Sequence, residues 1–111
     1  MKTNLPCNAG LLREDKTIKP DFTYVGELYD EFARVMQQFQ YGEKKYARLN
    51  FLNGGTEADW LSYKKSVSRH SNQYFAGKRD EDHAAATIVD MLICMNIEKR
   101  LTKKQDASKN R

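Results

Sequence analysis

The spacing of apolar side chains predicts three main helices and no sustained strand. From Asp21 onward, apolar residues recur at steps of three and four, which is the period of an amphipathic helix. Asp21 is suited to the N-cap of this first helix, and Gly42 is placed to interrupt it. The predicted apolar stripe consists of Phe22, Val25, Tyr29, Phe32, Val35 or Met36, and Phe39.

A second helix is predicted over residues 57–76. Thr56 and Asp59 have the spacing of a capping box, with Asp in the place of the usual Glu or Gln. Gly77 is expected to end this helix. The helical spacing is continued by Trp60, Tyr63, Val67, His70 and Tyr74.

A third helix is predicted to follow Asp80, which can act as its N-cap. Glu81 and Asp82 then lie in the first turn, where acidic side chains complement the helix dipole. We expect the apolar stripe of this helix at Ile88, Leu92 and Met95, with Met91 beside them.

These elements predict an all-α protein, a small helical bundle of three main helices. The chain has 111 residues, which fits one domain. We expect an N-terminal arm over residues 1–20, a helical domain over residues 21–104 and a polar C-terminal tail over residues 105–111. Because three helices leave little room for an enclosed pocket, we expect a dimer or higher homo-oligomer to complete the bundle.

Composition narrows the class of protein. The net charge of +4 resides partly in a basic C-terminal end, which is typical of a solvated helix, so we do not expect nucleic acid as a partner. No apolar run is long enough to span a membrane, and no secretory signal is visible. Cys7 and Cys94 lack zinc-site spacing. We therefore expect a cytoplasmic protein without a membrane partner.

Asp90 is the most informative single residue, because it lies within the longest apolar run of the chain. A carboxylate in such surroundings needs a partner or a metal ion to offset its desolvation. His83 precedes it by two helical turns, on nearly the same face. We predict catalytic roles for Glu81, His83 and Asp90, with His83 as orienter or proton shuttle. The predicted Mg²⁺ ligands are Glu31, Glu81, Asp82 and Asp90.

The alternative interpretation of these acidic residues is structural. On that interpretation Glu31 is a solvated surface charge, Glu81 and Asp82 only complement the helix dipole, and Asp90 makes a buried hydrogen bond.

Cationic and hydrogen-bonding residues form a second candidate set that could hold a triphosphate. Tyr46, Phe51 or Trp60 could stack on a base. The predicted substrate-binding residues are Lys44, Lys45, Tyr46, Asn50, Arg69 and His70. The alternative is that the lysines are surface groups and that His70 and the aromatic residues belong to the core.

Several enzyme classes are not supported. The chain contains no P-loop, dinucleotide-binding or nucleophile-elbow motif. Cys94 lies in an apolar segment, which argues against thiol catalysis.

A set of short motifs resembles a phage and prophage family of dATP/dGTP diphosphohydrolase N-terminal domains, over about residues 24–100. The motifs are Tyr41-Gly42-Glu43-Lys44-Lys45-Tyr46, Asn50-Phe51, Gly54-Gly55, Ser68-Arg69-His70, Gly77 and Asp82-His83-Ala84-Ala85. The resemblance implies an all-α domain similar to MazG-like nucleotide pyrophosphohydrolases, which use Mg²⁺ or Mn²⁺. It implies a site lined by Lys45, Tyr46, Asn50, Arg69, His70, Asp82 and His83. The chain departs from the family pattern at Phe51, Lys78 and Asp90.

The first functional hypothesis is metal-dependent hydrolysis of a purine (deoxy)nucleoside triphosphate to the monophosphate and pyrophosphate, in the host cytoplasm if a phage encodes the protein. The alternative is a catalytically silent phage protein that binds and sequesters a host signalling nucleotide. A third hypothesis is a helical interaction module without a small ligand.

Overall fold

The computed structural model describes residues 18–109, with side chains to residue 107, and contains four α-helices in this range. They are α1 (Thr23–Glu27), α2 (Tyr29–Lys45), α3 (Glu57–Phe75) and α4 (His83–Lys109), with a 3₁₀ turn (Asn50–Asn53) between α2 and α3. No strand occurs among the described residues. The prediction of a small all-α bundle is confirmed. The N-terminal arm lies almost entirely outside the described residues, and the dimer stays a prediction.

Local signals in the sequence set both ends of α3. The Thr56 hydroxyl accepts the Asp59 N–H at 3.1 Å and the Asp59 carboxylate accepts the Thr56 N–H at 3.2 Å, so the predicted capping box forms. At the other end Gly77 has φ +82°, a left-handed conformation that favours glycine. The Lys78 N–H donates to the carbonyl of Gln73 at 3.0 Å, as in a Schellman motif. The helix predicted over residues 57–76 is thereby confirmed.

The first predicted helix is broken into two. Leu28 (φ −111°, ψ 32°) leaves the helical conformation between α1 and α2, and Phe22, in the predicted apolar stripe, is 76 % exposed. Every described residue before Phe32 is exposed, so no packing supports a straight helix there. The predicted interruption at Gly42 is wrong, since α2 continues to Lys45. A glycine inside a helix costs only about 1 kcal/mol, which continued hydrogen bonding can offset.

The core lies mainly between α3 and α4, and α4 buries a different stripe from the one predicted. The residues with exposed side chains are Ile88, Met91, Leu92 and Met95, and the buried residues are Ala85, Ala86, Val89, Ile93, Cys94 and Ile97. Val35 of α2 joins this core, with Phe39, Trp60 and Tyr63 packed against it. The stripe prediction was wrong because α4 is apolar on several sides. Its small side chains allow close approach of α3, and periodicity alone could not show this.

One polar contact caps the start of α4, and another set, near its other end, ties it to the loop before α3. At its start Asp82, and not Asp80, acts as the cap, because its Oδ1 accepts the Ala85 N–H at 3.1 Å. Near its other end Arg100 donates to the carbonyls of Leu52, at 2.9 Å, and Gly54. A Cβ at Gly55 would lie 3.1 Å from the Arg100 guanidinium, and its φ of +151° also favours glycine. Arg100 therefore positions the loop before α3.

None of the helices in the described part of the chain is long and apolar enough to cross a bilayer.

Candidate functional site

A cleft of about 710 Å³ lies between α2, the following loop and the facing sides of α3 and α4. This volume is within the usual range for small-molecule sites. The polar and aromatic lining residues include Phe39, Tyr41, Lys45, Tyr46, Arg48, Asn50, Phe51, Tyr63, Ser66, His70 and Asp90. The cleft therefore brings together residues from both candidate sets of the sequence analysis.

Asp90 lies half-buried in the α4 wall of this cleft. Burial raises the pKa of Asp90, and hydrogen bonding by Ser66 together with the charges of His70 and Arg69 acts in the opposite direction. The carboxylate that interrupts the apolar run thus faces polar groups of α3 across the cleft.

Two imidazoles meet beside Asp90, one from each wall. The Nδ1 atoms of His70 on α3 and His83 on α4 are 2.9 Å apart. His83 is only 2 % exposed, and its Nε2 lies 2.8 Å from Oδ1 of Asp80. Since an ionised carboxylate only accepts, His83 donates its Nε2 proton to Asp80. The hydrogen bond from His83 lowers the pKa of Asp80.

Glu81 completes a group of residues that could hold a metal ion. Ligand atoms of His70, Glu81 and His83 lie within 4.8 Å of one another, and the Glu81 side chain is exposed. Two imidazole nitrogens and one carboxylate are a donor set that divalent transition metals accept. The residues present therefore fit a metal ion.

The other predicted carboxylate ligands are placed differently. Both oxygens of Asp82 accept hydrogen bonds from Arg34, at 2.9 and 2.8 Å. The Arg34 hydrogen bonds lower the pKa of Asp82. Glu31 is an exposed residue of α2 outside the cleft lining. The structure thus places Glu81 with the two histidines, while Asp82 pairs with Arg34; the ligand roles themselves stay predictions.

The predicted substrate-binding residues divide between the cleft and the surface. Lys45, Tyr46, Asn50 and His70 line the cleft, whereas Lys44 and Arg69 are exposed and lie outside its lining. The Arg69 guanidinium donates to the Ser66 hydroxyl at 3.1 Å, so it remains one side chain away from the cleft. Trp60, a candidate for base stacking, instead packs against the core and donates its indole N–H to Glu98 at 2.9 Å.

Three features of the site had no role in the sequence-based predictions. Arg34 pairs with Asp82 across 48 residues, and no local pattern signals such a pair. Arg48 lines the cleft and forms an ion pair with Glu43 at 2.9 Å. Leu49, also in the lining, has φ +59°, which is an outlier for a bulky residue.

Comparison with known proteins gives one family. The sequence model of the family described as "dATP/dGTP diphosphohydrolase, N-terminal" matches residues 10–107. The match includes α1, α2, α3 and α4 up to Ala107, as well as every residue that lines the cleft. Neither a curated protein nor a solved structure shows significant similarity to the chain.

Proposed function

The chain belongs to the dATP/dGTP diphosphohydrolase N-terminal family, and on that premise we propose that it hydrolyses a purine deoxynucleoside triphosphate with a divalent metal ion. In the proposed reaction water attacks the α-phosphorus. The bond from that phosphorus to the oxygen bridging to the β-phosphate breaks, and the nucleoside monophosphate and pyrophosphate leave. The proton of the attacking water passes to a base or to solvent.

The observation that carries this proposal is the composition of the cleft. Lys45 and Asn50 offer a cation and an amide at one wall, and His70 and Asp90 offer an imidazole and a carboxylate at the other. A nucleoside triphosphate presents complementary groups, since its phosphates need cations and donors and its reacting phosphorus needs a positioned water. Tyr46 offers an aromatic face for the base.

Within this proposal Lys45 and Asn50 bind phosphate oxygens, and Tyr46 packs against the base. Asp90 and His70 orient the attacking water. A divalent ion at the cleft neutralises charge on the phosphates and acidifies bound water when it is present. Among the predicted carboxylate ligands, Glu81 and Asp90 have the stronger support, because Glu81 lies beside His70 and Asp90 lines the same cleft as His70.

The adjacent lysines Lys44 and Lys45 provide a matched test, because they share charge and helix while only Lys45 lines the cleft. Pyrophosphate release from dATP and dGTP is measured with and without divalent ions. We expect Lys45→Gln to raise KM by about 10-fold or more, the loss of one charge-assisted contact. Lys44→Gln is expected to behave like wild type. Asp90→Asn is expected to lower kcat while the far-ultraviolet circular dichroism stays unchanged.

The same assay separates the competing functions. Intact nucleotide recovered by chromatography after heat release, with no pyrophosphate formed, contradicts hydrolysis and supports the sequestering alternative. Absence of any thermal shift with nucleotide contradicts both, since a ligand at 100 times its dissociation constant stabilises by about 2.7 kcal/mol. Equal effects of the Lys44 and Lys45 substitutions contradict the assignment of the cleft.

A further inference from the structure

The buried contact between two imidazoles requires an explanation. His83 is fully covered by the fold, and its Nδ1 faces the Nδ1 of His70 at 2.9 Å. Because the His83 Nε2 proton is donated to Asp80, Nδ1 of neutral His83 carries a lone pair directed at His70. Both rings therefore direct the same kind of atom at one small volume between α3 and α4.

The geometry points to a metal centre formed by His70, Glu81 and His83 that takes an imidazole-binding transition-metal ion of the Mn²⁺, Fe²⁺, Co²⁺ or Zn²⁺ class. The inference rests on the proposed function, because it names the ion on which the proposed hydrolysis depends.

The separation of the two nitrogen atoms agrees with ligation of one ion. Metal–imidazole bonds are about 2.0–2.1 Å long, so two nitrogens at right angles on one ion lie about 2.9 Å apart, and about 3.3 Å apart at a tetrahedral angle. The observed Nδ1–Nδ1 distance is 2.9 Å. In the ion-free protein an N–H···N hydrogen bond between the two Nδ1 atoms holds the rings together.

Asp80 is positioned to support a metal-bound His83, because its carboxylate contacts the ring nitrogen that would not bind the metal. Its Oδ1 accepts the proton from the far nitrogen of His83 at 2.8 Å. This arrangement fixes the tautomer and ring orientation that leave Nδ1 for the metal, and it increases the basicity of the ligand.

Glu81 adds an oxygen ligand without closing the site. A carboxylate oxygen of Glu81 lies within 4.8 Å of one ring nitrogen of His70 and one of His83, and the Glu81 side chain is exposed to solvent. Three protein ligands leave coordination positions for water or a phosphate oxygen, as in catalytic rather than structural metal sites. His70 also lines the cleft, so an ion at this centre lies at the cleft wall.

The donor set selects the class of ion. Mg²⁺ prefers an all-oxygen shell and keeps most of its waters, whereas imidazole nitrogen favours transition metals. The His70–Glu81–His83 centre is therefore distinct from the all-carboxylate magnesium site that the sequence predicted from Glu31, Glu81, Asp82 and Asp90.

The test measures metal binding directly, without turnover. The full chain is freed of metal with a chelator and titrated with Co²⁺, whose visible absorption reports ligation, and then with Mn²⁺ or Mg²⁺ as competitor. Mn²⁺-loaded protein is examined by pulsed electron paramagnetic resonance for coupling to imidazole nitrogen. The variants are His70→Gln, His83→Gln, Glu81→Gln and Asp80→Asn, with Glu31→Gln as the control carboxylate.

We expect one Co²⁺ per chain, nitrogen coupling in the Mn²⁺ spectrum, and little displacement of Co²⁺ by Mg²⁺ at about tenfold excess. Asp80→Asn is expected to weaken binding about 10- to 100-fold, as removal of a supporting carboxylate does. His70→Gln and Glu81→Gln are expected to remove the Co²⁺ spectrum, and Glu31→Gln to leave it intact. If buried His83→Gln fails to fold, exposed Glu81→Gln still provides the test.

Absence of Co²⁺ binding, or binding that survives both His70→Gln and Glu81→Gln, overturns the inference. Pyrophosphate release supported by Mg²⁺ in those two variants overturns it as well, while leaving the proposed hydrolysis in place. Conversely, a nitrogen-ligated ion in a protein that releases no pyrophosphate supports the metal centre and contradicts the proposed reaction.

Discussion

The ion pair between Arg34 and Asp82 is the direct polar link between α2 and the start of α4, and it gives the sharpest prediction about how the fold supports the site. We consider Arg34→Gln, Asp82→Asn and the double variant as a double-mutant cycle. Asn at position 82 removes the charge but can still accept the Ala85 N–H as a helix cap. The cycle therefore isolates the ion pair from the cap.

The expected magnitude follows from distance and exposure. At the observed 2.8 Å, two unit charges attract by about 1.5 kcal/mol in bulk water. The side chains are 55 % and 32 % exposed, so solvent screens the pair and ordering of Arg34 offsets part of the gain. The guanidinium makes two hydrogen bonds to the carboxylate, which favours the upper end of the coupling energies found for exposed ion pairs. We therefore expect a coupling energy of about 1 kcal/mol. Asp82→Ala should cost about 1 kcal/mol more, through the lost cap.

Urea unfolding followed by circular dichroism measures the four free energies of unfolding at one pH and low salt. Each single substitution should destabilise by about 1 kcal/mol, and the double variant by about the same amount rather than twice as much. The coupling should decrease in 1 M salt. Strictly additive effects would refute the assignment of the pair as a stabilising link. A selective loss of Co²⁺ binding in Asp82→Asn, without loss of stability, would instead favour Asp82 as a metal ligand.

Three further predictions concern the core and the caps. Ile97 is completely buried, so Ile97→Ala should lower the free energy of unfolding by about 2–5 kcal/mol, whereas Met95→Ala, at a 56 % exposed position, should change it by less than about 1 kcal/mol in urea unfolding. Thr56→Ala should destabilise by about 1 kcal/mol in the same measurement, through loss of the α3 cap. Hydrogen bonds from the Gly55 and Thr56 backbone lower the pKa of Asp59 below its ordinary 3.8, so its stabilising effect is present above that pH and lost as the pH falls further. Melting curves of wild type and Asp59→Asn should therefore differ at pH 7 and converge as the pH is lowered below 3.8.

Much of the secondary structure was predictable from short stretches of sequence, because the interactions that set it are local. The Thr56 and Asp59 capping box and the glycine at position 77 act within a few residues of the α3 ends, and both ends were predicted closely. The motifs around Lys45 and His70 were also sufficient to indicate the family, which the family match confirms.

The orientation of α4 was not predictable in the same way. Its apolar residues lie on more than one side, so the pattern permitted both the stripe through Leu92 and the stripe through Ile93. Packing against α3 selected the side with Ala85 and Val89, where small side chains let the helices approach closely. The break at Leu28 has a similar origin, since helical spacing continued there while no partner covered the apolar side chains.

In the candidate site, too, some features were predictable from the sequence and others depended on how the helices pack. The sequence by itself determined which residues could carry chemistry, since a carboxylate within an apolar run and a histidine beside an arginine are visible without coordinates. Only the tertiary structure decided their partners. His70 contacts His83 of another helix, and Asp82 forms an ion pair with Arg34. Lys45 lines the cleft, whereas Lys44 does not. The physical reason is that residue types and spacing specify local conformation, whereas contacts between helices depend on which faces bury the most surface when the whole chain packs.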